Sequence, residues 1–459
     1  TCALPIYGKS FYFDIHEKKH GPHGLVAGMS GSGKSELAQS WIASMALQFS
    51  PRDVNFILVD FKGTSLLQPF LTLPHLAGYI SNLDTDIDRK LLALDGEMEH
   101  RQRLLDQYGA RDILEYQRRR RRDPSMEEMP FLILVFDEFA EFKLQFPDFT
   151  RALDHVFRGG RSLGVYSVLM TQKPSGVVTE QMNANAAFRW CLQVQSDADS
   201  RELLGNTDAA YIRNPGRVYV KCEDGTYECL QAYYAGAPYL PERGAAGEAV
   251  PVSLVSLTGE RRPLVPPARR AGGLRSQLEA VVERIVRHCE RREIPPAKPI
   301  WQEKLPKEQE LFSLLPGGKS WEAWPLRTKG LTPPAAFLGL VDDPAGQRQF
   351  PLVHNFWRDG HLALYGMTVS GKTTFLKSLL VSLACTHTPG QVQFYLAEFG
   401  GFGLRSMEAF PHVGAAAGND EPETLGGLAK LLGEELDQRK KRFRKLGTGS
   451  LQAYLEAGG

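Results

Sequence analysis

The chain has no apolar run that approaches the roughly 18–20 residues needed to cross a bilayer. Its first residues, TCALPIYGKS, lack the apolar core of a secretory signal peptide. With 54 basic and 53 acidic residues, the formal net charge is only +1. Such a balance creates no overall field that would draw the chain to nucleic acid or to an anionic membrane. The bulk properties are therefore those of an ordinary globular protein.

Cysteine is also scarce, and the six cysteines are scattered. Only Cys222 and Cys229 are close, and they flank an Asp-Gly pair that indicates a two-residue hairpin turn. That register places Cys222 opposite Tyr227 and Cys229 opposite Val220, so a disulfide would need a register slip. No cysteine pair has the spacing of a metal site with a nearby histidine. We therefore expect reduced thiols, as in a cytoplasmic protein.

The chain does contain a duplicated segment. At a constant offset of 338 positions, residues 28, 33, 34 and 35 align with residues 366, 371, 372 and 373. Both copies fit the pattern G-x-x-x-x-G-K-[ST] of a phosphate-binding P-loop. The repeat extends further, because residues 97–116 align with residues 435–454 at the same offset. The sequence therefore predicts one duplicated, nucleotide-driven unit.

Buried-type strands and amphipathic helices alternate along the first part of the chain. This alternation predicts an α/β fold of tandem RecA-like P-loop NTPase domains, with mainly parallel sheets covered by helices on both faces. We expect a first domain at residues 1–240 and part of a second at residues 331–459. Residues 241–330 are rich in Pro, Gly and Ala around one amphipathic helix and indicate a linker. The absent initiator Met and the end just after a helical pattern lead us to expect a fragment of a longer protein.

The P-loops predict the nucleotide-binding residues. Consecutive backbone N–H groups wrap phosphates at a helix N-terminus, a Lys charges the β/γ-phosphates, and a Ser or Thr hydroxyl reaches Mg²⁺. The predicted ATP-binding residues are Gly28, Ser30, Gly31, Ser32, Gly33, Lys34 and Ser35 in the first copy and Gly366, Ser370, Gly371, Lys372, Thr373 and Thr374 in the second. We expect Ser35 and Thr373 to contact Mg²⁺.

An acidic pair ends the apolar run FLILVF. We expect Asp137 to reach the Mg²⁺ shell, because it ends a strand next to the P-loop strand. Glu138 is then placed to orient and deprotonate the attacking water. Asp60 also ends a strand but lacks a second acid, so we expect it to shape the loop beside the site.

Two further residues are catalytic candidates. Gln172 ends the next apolar strand, where it either senses the γ-phosphate and the attacking water or merely caps the strand. Arg189 is flanked by apolar residues and is either a salt-bridge partner or an arginine finger for a neighbouring subunit's nucleotide. The basic run at residues 118–122 is more typical of a solvated helix end than of a nucleic-acid site.

These motifs together resemble a known family. The segments are HEKKHGPHGLVAGMSGSGKSE, ILVDFKG, FDEFAEFK, GRSLGV, TQKP and DSRELLG, with SQLEAVVERI and LVDDPAGQRQF further along. They are similar to the first ATPase domain, linker and second domain of the FtsK/SpoIIIE-type ATPases of type VII secretion systems, the EssC and EccC proteins. The resemblance covers nearly the whole chain.

The resemblance implies a membrane-anchored motor at the cytoplasmic face of the cell membrane, active as a homo-hexamer. Its cargo would be small helical-hairpin proteins of the WXG100 type, and its partners other membrane components of the secretion machine; no nucleic acid is expected. Arg189 matches the family's finger that acts in trans. The first domain would be the hydrolytic one, restrained by the linker and the second domain.

The second copy departs from the first. Val369 replaces Gly31, Glu398 replaces Asp60 and Gly400 replaces Lys62. At the common offset, the second acidic pair and sensor would fall beyond residue 459. We therefore expect an engine and a nucleotide-holding partner. Two alternatives stay open: a DNA translocase of the same superfamily, and an assembly module that holds ATP without hydrolysing it.

Overall fold

The computed structural model describes residues 3–5, 11–16, 19–63, 66–174, 176–239, 253–255, 261–263, 275–315, 333–401 and 403–457. The chain forms two compact units. The first comprises Thr1–Gln302 with Pro344–Gln347, and the second Glu303–Asp343 with Arg348–Gly459. No helix among the residues described is long and apolar enough to cross a membrane.

The first unit is built on a nine-stranded sheet. Its strands are β1 (Ala3–Pro5), β2 (His23–Ala27), β3 (Val54–Asp60), β4 (Leu76–Ser81), β5 (Phe131–Asp137), β6 (Val165–Thr171), β7 (Ala186–Cys191), β8 (Arg217–Cys222) and β9 (Tyr227–Ala232). The order is β1-β9-β8-β7-β2-β6-β5-β3-β4. The six strands from β7 to β4 are parallel, whereas β8, β9 and β1 are antiparallel. A separate antiparallel pair joins β10 (Ser253–Val255) and β11 (Arg261–Pro263).

Helices cover both faces of this sheet, which confirms the predicted α/β architecture. They are α1 (Lys34–Gln48), α2 (Ile87–Gln107), α3 (Ile113–Arg120), α4 (Phe139–Gln145), α5 (Pro147–Leu163), α6 (Glu180–Asn185), α7 (Asp197–Leu204) and α8 (Gln277–Arg291). One apolar core packs α1 and α8 on one face, and another packs α2 to α7 on the other. The central strands are buried on both sides, which is why β3, β5 and β6 are nearly continuous apolar runs.

The helix of the predicted linker, α8, belongs to the first compact unit. A capping box starts it: the Ser276 hydroxyl accepts from Glu279 N–H, and the Glu279 carboxylate accepts from Ser276 N–H. Its buried stripe, which includes Leu278, Val282 and Ile285, joins the core beside α1.

The hairpin register predicted for β8 and β9 is wrong by one position. Cys229 pairs with Tyr219, not with Val220, and Lys221 rather than Cys222 pairs with Tyr227. The turn has three residues instead of two, and its last residue, Gly225, takes a left-handed φ of 90°. Cys222 and Cys229 are both free thiols.

The second unit is smaller. It contains α9 (Leu311–Leu314), the antiparallel pair β12 (Ala335–Asp343) and β13 (Arg348–Asn355), α10 (Lys372–Thr386), the parallel pair β14 (Phe394–Glu398) and β15 (Val413–Gly418), α11 (Pro422–Leu446) and α12 (Leu451–Glu456). Its core lies between α10 and β14. Residues 361–370, which lead into the second P-loop, are in no strand.

Candidate functional site

A cleft of about 660 Å³ lies at the carboxyl edge of the first unit's sheet. β2, β5 and β6 are parallel neighbours, so the residues that follow them meet at this edge. The loop after β2 is the first P-loop, the acidic pair is at the end of β5, and Gln172 follows β6. The volume is within the range of small-ligand sites.

The backbone of the first P-loop explains why glycines stand at positions 28, 31 and 33. Gly31 and Gly33 hold left-handed φ angles of 80° and 94°, which side chains rarely adopt. A Cβ on Gly28 would lie 2.5 Å from the Ser32 hydroxyl oxygen, and one on Gly33 would lie 2.8 Å from the Gly216 nitrogen. The loop is therefore tightly wound at the N-terminus of α1, as phosphate binding requires.

The P-loop lysine lies between the two predicted acids. Lys34 Nζ is 3.2 Å from Asp137 Oδ1 and 3.4 Å from Glu138 Oε2. All three residues are buried. Buried charges need partners, and here one ammonium group balances two carboxylates. The three residues thus form a small electrostatic unit at the phosphate end of the cleft.

Glu138 has a strained backbone. Its φ and ψ of 57° and 56° are left-handed, an uncommon conformation for a non-glycine residue that costs on the order of 1–3 kcal/mol. The position lets β5 end and α4 begin at once, and it brings the Glu138 carboxylate to Lys34 and Gln172, which line the cleft. There Gln172 Nε2 donates to Glu138 Oε2 at 2.6 Å. The side-chain amide of Gln172 and the ammonium group of Lys34 thus hold Glu138, the predicted base.

Ser35 and Asp137 fit the predicted magnesium site. The Ser35 hydroxyl donates to Asp137 Oδ2 at 3.0 Å. Asp137 Oδ1 is buried and accepts no hydrogen bond, although Lys34 is near. A hydroxyl beside a carboxylate with an unsatisfied oxygen is a suitable donor set for Mg²⁺ in a P-loop protein. These two residues would hold the ion, which would neutralise negative charge on the phosphates.

Asp60 takes the loop-shaping position expected for it. Its carboxylate accepts the backbone N–H groups of Lys62, Gly63 and Leu66 at 3.1–3.2 Å. Burial, and secondly the charge of Asp137, raise the pKa of Asp60. The loop carries Lys62 to the cleft, where its Nζ donates to Ser30 Oγ at 3.4 Å.

Arg189 is not among the residues that line this cleft. It lies on β7 and donates to the Asn183 backbone carbonyl at 2.8 Å and to Asn183 Oδ1 at 3.0 Å. Burial lowers the pKa of its guanidinium group. The basic run behaves as a helix end: Arg119 pairs with Glu115 and Arg120 with Glu128, both at 2.6 Å.

The second P-loop repeats the backbone of the first. Gly371 holds a φ of 89°, and a Cβ on Gly366 would lie 2.5 Å from the Ser370 hydroxyl, the same contact that Gly28 shows with Ser32. Lys372 Nζ, however, donates to the carbonyls of Gly366 and Met367 at 2.7 and 2.5 Å. Among the residues that the structure describes it has no carboxylate partner.

The rest of the second site is more open. Thr373 and Thr374 are exposed at the start of α10. Glu398 has the same loop-shaping role as Asp60, because its carboxylate accepts hydrogen bonds from the backbone N–H groups of Gly403 and Leu404, both at 2.9 Å. Val369 keeps the left-handed conformation of Gly31, with a φ of 65°.

One wall of the first cleft was missed by sequence reasoning. It is formed by Pro215, Gly216 and residues 231–234. These residues lie at the open end of the β8–β9 hairpin, just before β8 and at the end of β9, about 200 positions from the P-loop. No local motif marks them, so only the antiparallel end of the sheet brings them to the site.

A wound phosphate loop, its lysine and hydroxyl, and an acidic pair on the adjacent parallel strand define a P-loop ATPase, and the second unit carries a second P-loop. The sequence comparison agrees: the chain belongs to the FtsK/SpoIIIE family, whose model matches residues 3–176 and 341–459.

Among individual relatives, the chain is 36% identical over 99% of its length to the ESX secretion system protein EccC of Geobacillus thermodenitrificans. It is also 36% identical over its whole length to the type VII secretion system protein EssC of Staphylococcus aureus. It spans 30% and 32% of these two relatives.

Solved structures agree with this assignment. The cytoplasmic domain of the type VII secretion ATPase EccC from Thermomonospora curvata matches with a TM-score of 0.77 and 30% identity. That match covers the whole of this chain and 51% of the other. ATPases 2 and 3 of EssC from Geobacillus thermodenitrificans share the fold, with a TM-score of 0.65 at 21% identity. The tandem P-loop architecture predicted from the sequence is thereby confirmed.

Proposed function

We propose that the first unit binds and hydrolyses Mg-ATP to power or gate protein export in a type VII secretion system. The observation that carries this proposal is the buried group formed by Lys34, Asp137 and Glu138, with Gln172 bonded to the glutamate. It combines a phosphate-binding charge, a metal-binding carboxylate and a general base at the mouth of one cleft.

Each of these residues has one proposed role. Lys34 exchanges its carboxylate partners for the β/γ-phosphates when the nucleotide enters. Glu138 then loses one partner and is held by Gln172, facing a water in line with the γ-phosphate. Its carboxylate orients this water and takes its proton. Ser35 and Asp137 would hold the metal ion, which would supply positive charge to the phosphates.

A matched pair of substitutions tests this assignment. Glu138→Gln removes the base but keeps the shape of the side chain, so Mg-ATP turnover should fall by about 100-fold or more while ATP still binds. Glu141→Gln is the control, because Glu141 is exposed and lies three residues further along α4. If Glu138→Gln retains full turnover, Glu138 is not the base.

Arg189 completes the site in trans under this proposal. It lies away from its own cleft, and its guanidinium is bonded to Asn183 of the short helix α6, from which it can be presented to a neighbour. In a mixture of Arg189→Ala and Glu138→Gln proteins, some interfaces combine an intact base with an intact finger. Turnover of the mixture should then exceed that of either variant alone. An additive result would contradict a finger acting in trans.

We extend to this chain the role in secretion that the names of its relatives describe. We propose a homo-hexamer at the cytoplasmic face of the membrane, working with membrane components of the secretion machine on WXG100-type cargo. Turnover that rises steeply with protein concentration supports assembly of shared sites. The absence of turnover at every concentration would favour a module that only holds ATP, and a flat, non-zero specific activity would contradict shared sites. Stimulation by duplex DNA instead of by a WXG100-type protein would favour a DNA translocase.

A further inference from the structure

A second concave site of the first unit lies on the solvent side of α8. It is a pocket of about 260 Å³, which we call the arginine pocket. Its principal lining residues are Arg275, Arg284, Arg287 and Arg291, with Tyr239 and Glu283. None of them lines the cleft of the first P-loop, and the proposed hydrolysis uses none of them. The pocket is smaller than most sites for drug-sized ligands, so its volume favours a compact ligand.

Helical spacing brings three of the arginines to one face of α8. Arg287 follows Arg284 by three residues, and Arg291 follows Arg287 by four, so the three side chains are neighbours on the helix surface. The buried side chains of Val282 and Ile285 face the core. The arginines therefore take no part in packing α8 against the first unit.

Backbone hydrogen bonds tie the other wall of the pocket to the start of α8. Tyr239 N–H donates to the Arg275 carbonyl at 2.9 Å. Gln277 N–H donates to the Ala237 carbonyl at 2.7 Å. The segment that carries Tyr239 is thus held against the helix that carries the arginines, and the concave shape is built into the fold.

Glu283 orients two of the four guanidinium groups. Its carboxylate pairs with both Arg275 and Arg287. The Arg275 guanidinium also lies over the Tyr239 ring, 5.0 Å from the ring centroid, which is a cation–π contact. These donors are therefore positioned before a ligand enters, which lowers the entropy lost on binding.

The other two arginines keep their charge without compensation. Arg284 and Arg291 are exposed and pair with no carboxylate in the part of the chain that the structure describes. Like charges three or four residues apart on a helix repel each other. The helix dipole favours a cation in the last turn, which accounts for Arg291 but not for Arg284, seven residues earlier. An anion in the pocket would offset this repulsion.

The positive charge is concentrated in the pocket rather than along the helix. Four arginines and His288 line the pocket against one glutamate, whereas residues 275–293 as a whole contain five arginines and four glutamates. A segment so nearly balanced attracts an extended polyanion, such as nucleic acid or a membrane surface, only weakly. A compact oxyanion fits better, because guanidinium groups bind phosphate through paired N–H donors.

We propose that the arginine pocket binds a phosphate monoester, with Arg284 and Arg291 as the principal ligands and Arg275 and Arg287 beside them. The monoester is either a free molecule or the head group of a lipid such as phosphatidic acid, since both present the same anion. This site goes beyond the proposed function, because it needs no nucleotide in either P-loop.

Calorimetric titration with glycerol 3-phosphate tests the pocket. All proteins carry Lys34→Ala and Lys372→Ala, which weaken phosphate binding at the P-loops. Arg284→Gln should lower the affinity by about 10-fold or more, because charge-assisted hydrogen bonds are lost. Arg284→Lys, which keeps the charge but not the paired donors, should lie between.

Two further variants separate the pocket from general effects. Glu283→Gln should bind the probe more tightly, because it removes a negative charge from the lining, whereas mere damage to the pocket would weaken binding. Arg292→Gln is the matched control, since it makes the same change of charge at an exposed neighbour of Arg291 outside the pocket. It should bind the probe as the parent does.

Sedimentation with phosphatidylcholine vesicles, with and without phosphatidic acid, distinguishes the two sources of the anion. Binding that requires phosphatidic acid and is lost in Arg284→Gln assigns the lipid head group. Binding of glycerol 3-phosphate without binding to either vesicle assigns a free monoester.

Three results would overturn the proposal. The first is a parent protein that does not bind glycerol 3-phosphate, whether or not it binds vesicles. The second is an equal loss of affinity in Arg284→Gln and Arg292→Gln, because overall charge would then explain the binding. The third is weaker binding by Glu283→Gln. Each of these results leaves the proposed hydrolysis of ATP by the first unit intact.

Discussion

Val369 in the second P-loop allows a direct test of how the two copies differ. Its φ of 65° lies in the left-handed region, where Gly31 of the first loop has a φ of 80°. A β-branched residue in this conformation is strained by on the order of 1–3 kcal/mol. The Val369 side chain is 97% exposed, so packing contacts do not offset this strain. Phosphate binding by the second loop therefore includes an unfavourable conformational free energy that phosphate binding by the first loop lacks.

Val369→Gly should remove that cost. Part of the gain is offset, because a glycine leaves the loop more flexible when no ligand is bound, by about 0.4–1 kcal/mol. The net expectation is about 1 kcal/mol, which is about fivefold tighter nucleotide binding. Val369→Ala should lie between valine and glycine, since its single Cβ methyl group is less restricted. The reciprocal change, Gly31→Ala, should weaken binding at the first loop through backbone strain alone, because a Cβ there meets nothing within 4 Å.

The assay is a titration of a fluorescent ATP analogue into protein that carries Lys34→Ala, so that the signal comes from the second loop. The affinity order Gly, Ala, Val is the expected result. An unchanged or lower affinity for Val369→Gly, with an unaltered unfolding transition, would refute the argument from backbone strain.

Two other predictions concern the first unit. Gln172→Ala should lower turnover by about 10- to 100-fold with little change in ATP affinity, because Glu138 loses its 2.6 Å hydrogen bond; unaltered turnover would contradict the role of Gln172. Burial lowers the pKa of His23 to about 3, whereas the unfolded chain takes up this proton near pH 6.5, so stability falls as pH drops from 6.5 towards 3. Protonation of the unfolded chain at this residue lowers the free energy of unfolding by about 2 kcal/mol between pH 7 and pH 5. In urea unfolding, the free energy of His23→Phe should therefore fall by about 2 kcal/mol less over this pH range. An identical pH dependence in the variant would contradict this role of His23.

Much of the first unit could be predicted because its signals are local. The apolar run that leads to Gln172 is a strand, Val165–Thr171, as predicted, since a strand buried on both faces has to be largely apolar. The rule that parallel strands end at one edge was enough to bring Asp137, Glu138 and Gln172 to the P-loop. These predictions needed no knowledge of distant contacts.

Other features depend on contacts between distant segments, and the sequence does not encode them in any short pattern. The cleft wall formed by Pro215, Gly216 and residues 231–234 depends on antiparallel strands that extend the sheet beyond β7. The packing of α8 beside α1 depends on an apolar stripe that a linker helix could equally bury elsewhere. The left-handed backbone of Glu138 is visible only in coordinates, because no residue preference marks it. The hairpin register was wrong because the Asp-Gly pair did not reveal the three-residue turn.

The central claim is that the first unit hydrolyses ATP and the second holds it. The equivalent lysines of the two P-loops provide the most direct measurement: steady-state Mg-ATP turnover of Lys34→Ala and of Lys372→Ala, compared with the unsubstituted chain. We expect Lys34→Ala to abolish turnover and Lys372→Ala to retain most of it. Loss of turnover in Lys372→Ala, with full activity in Lys34→Ala, would contradict this division between the two units.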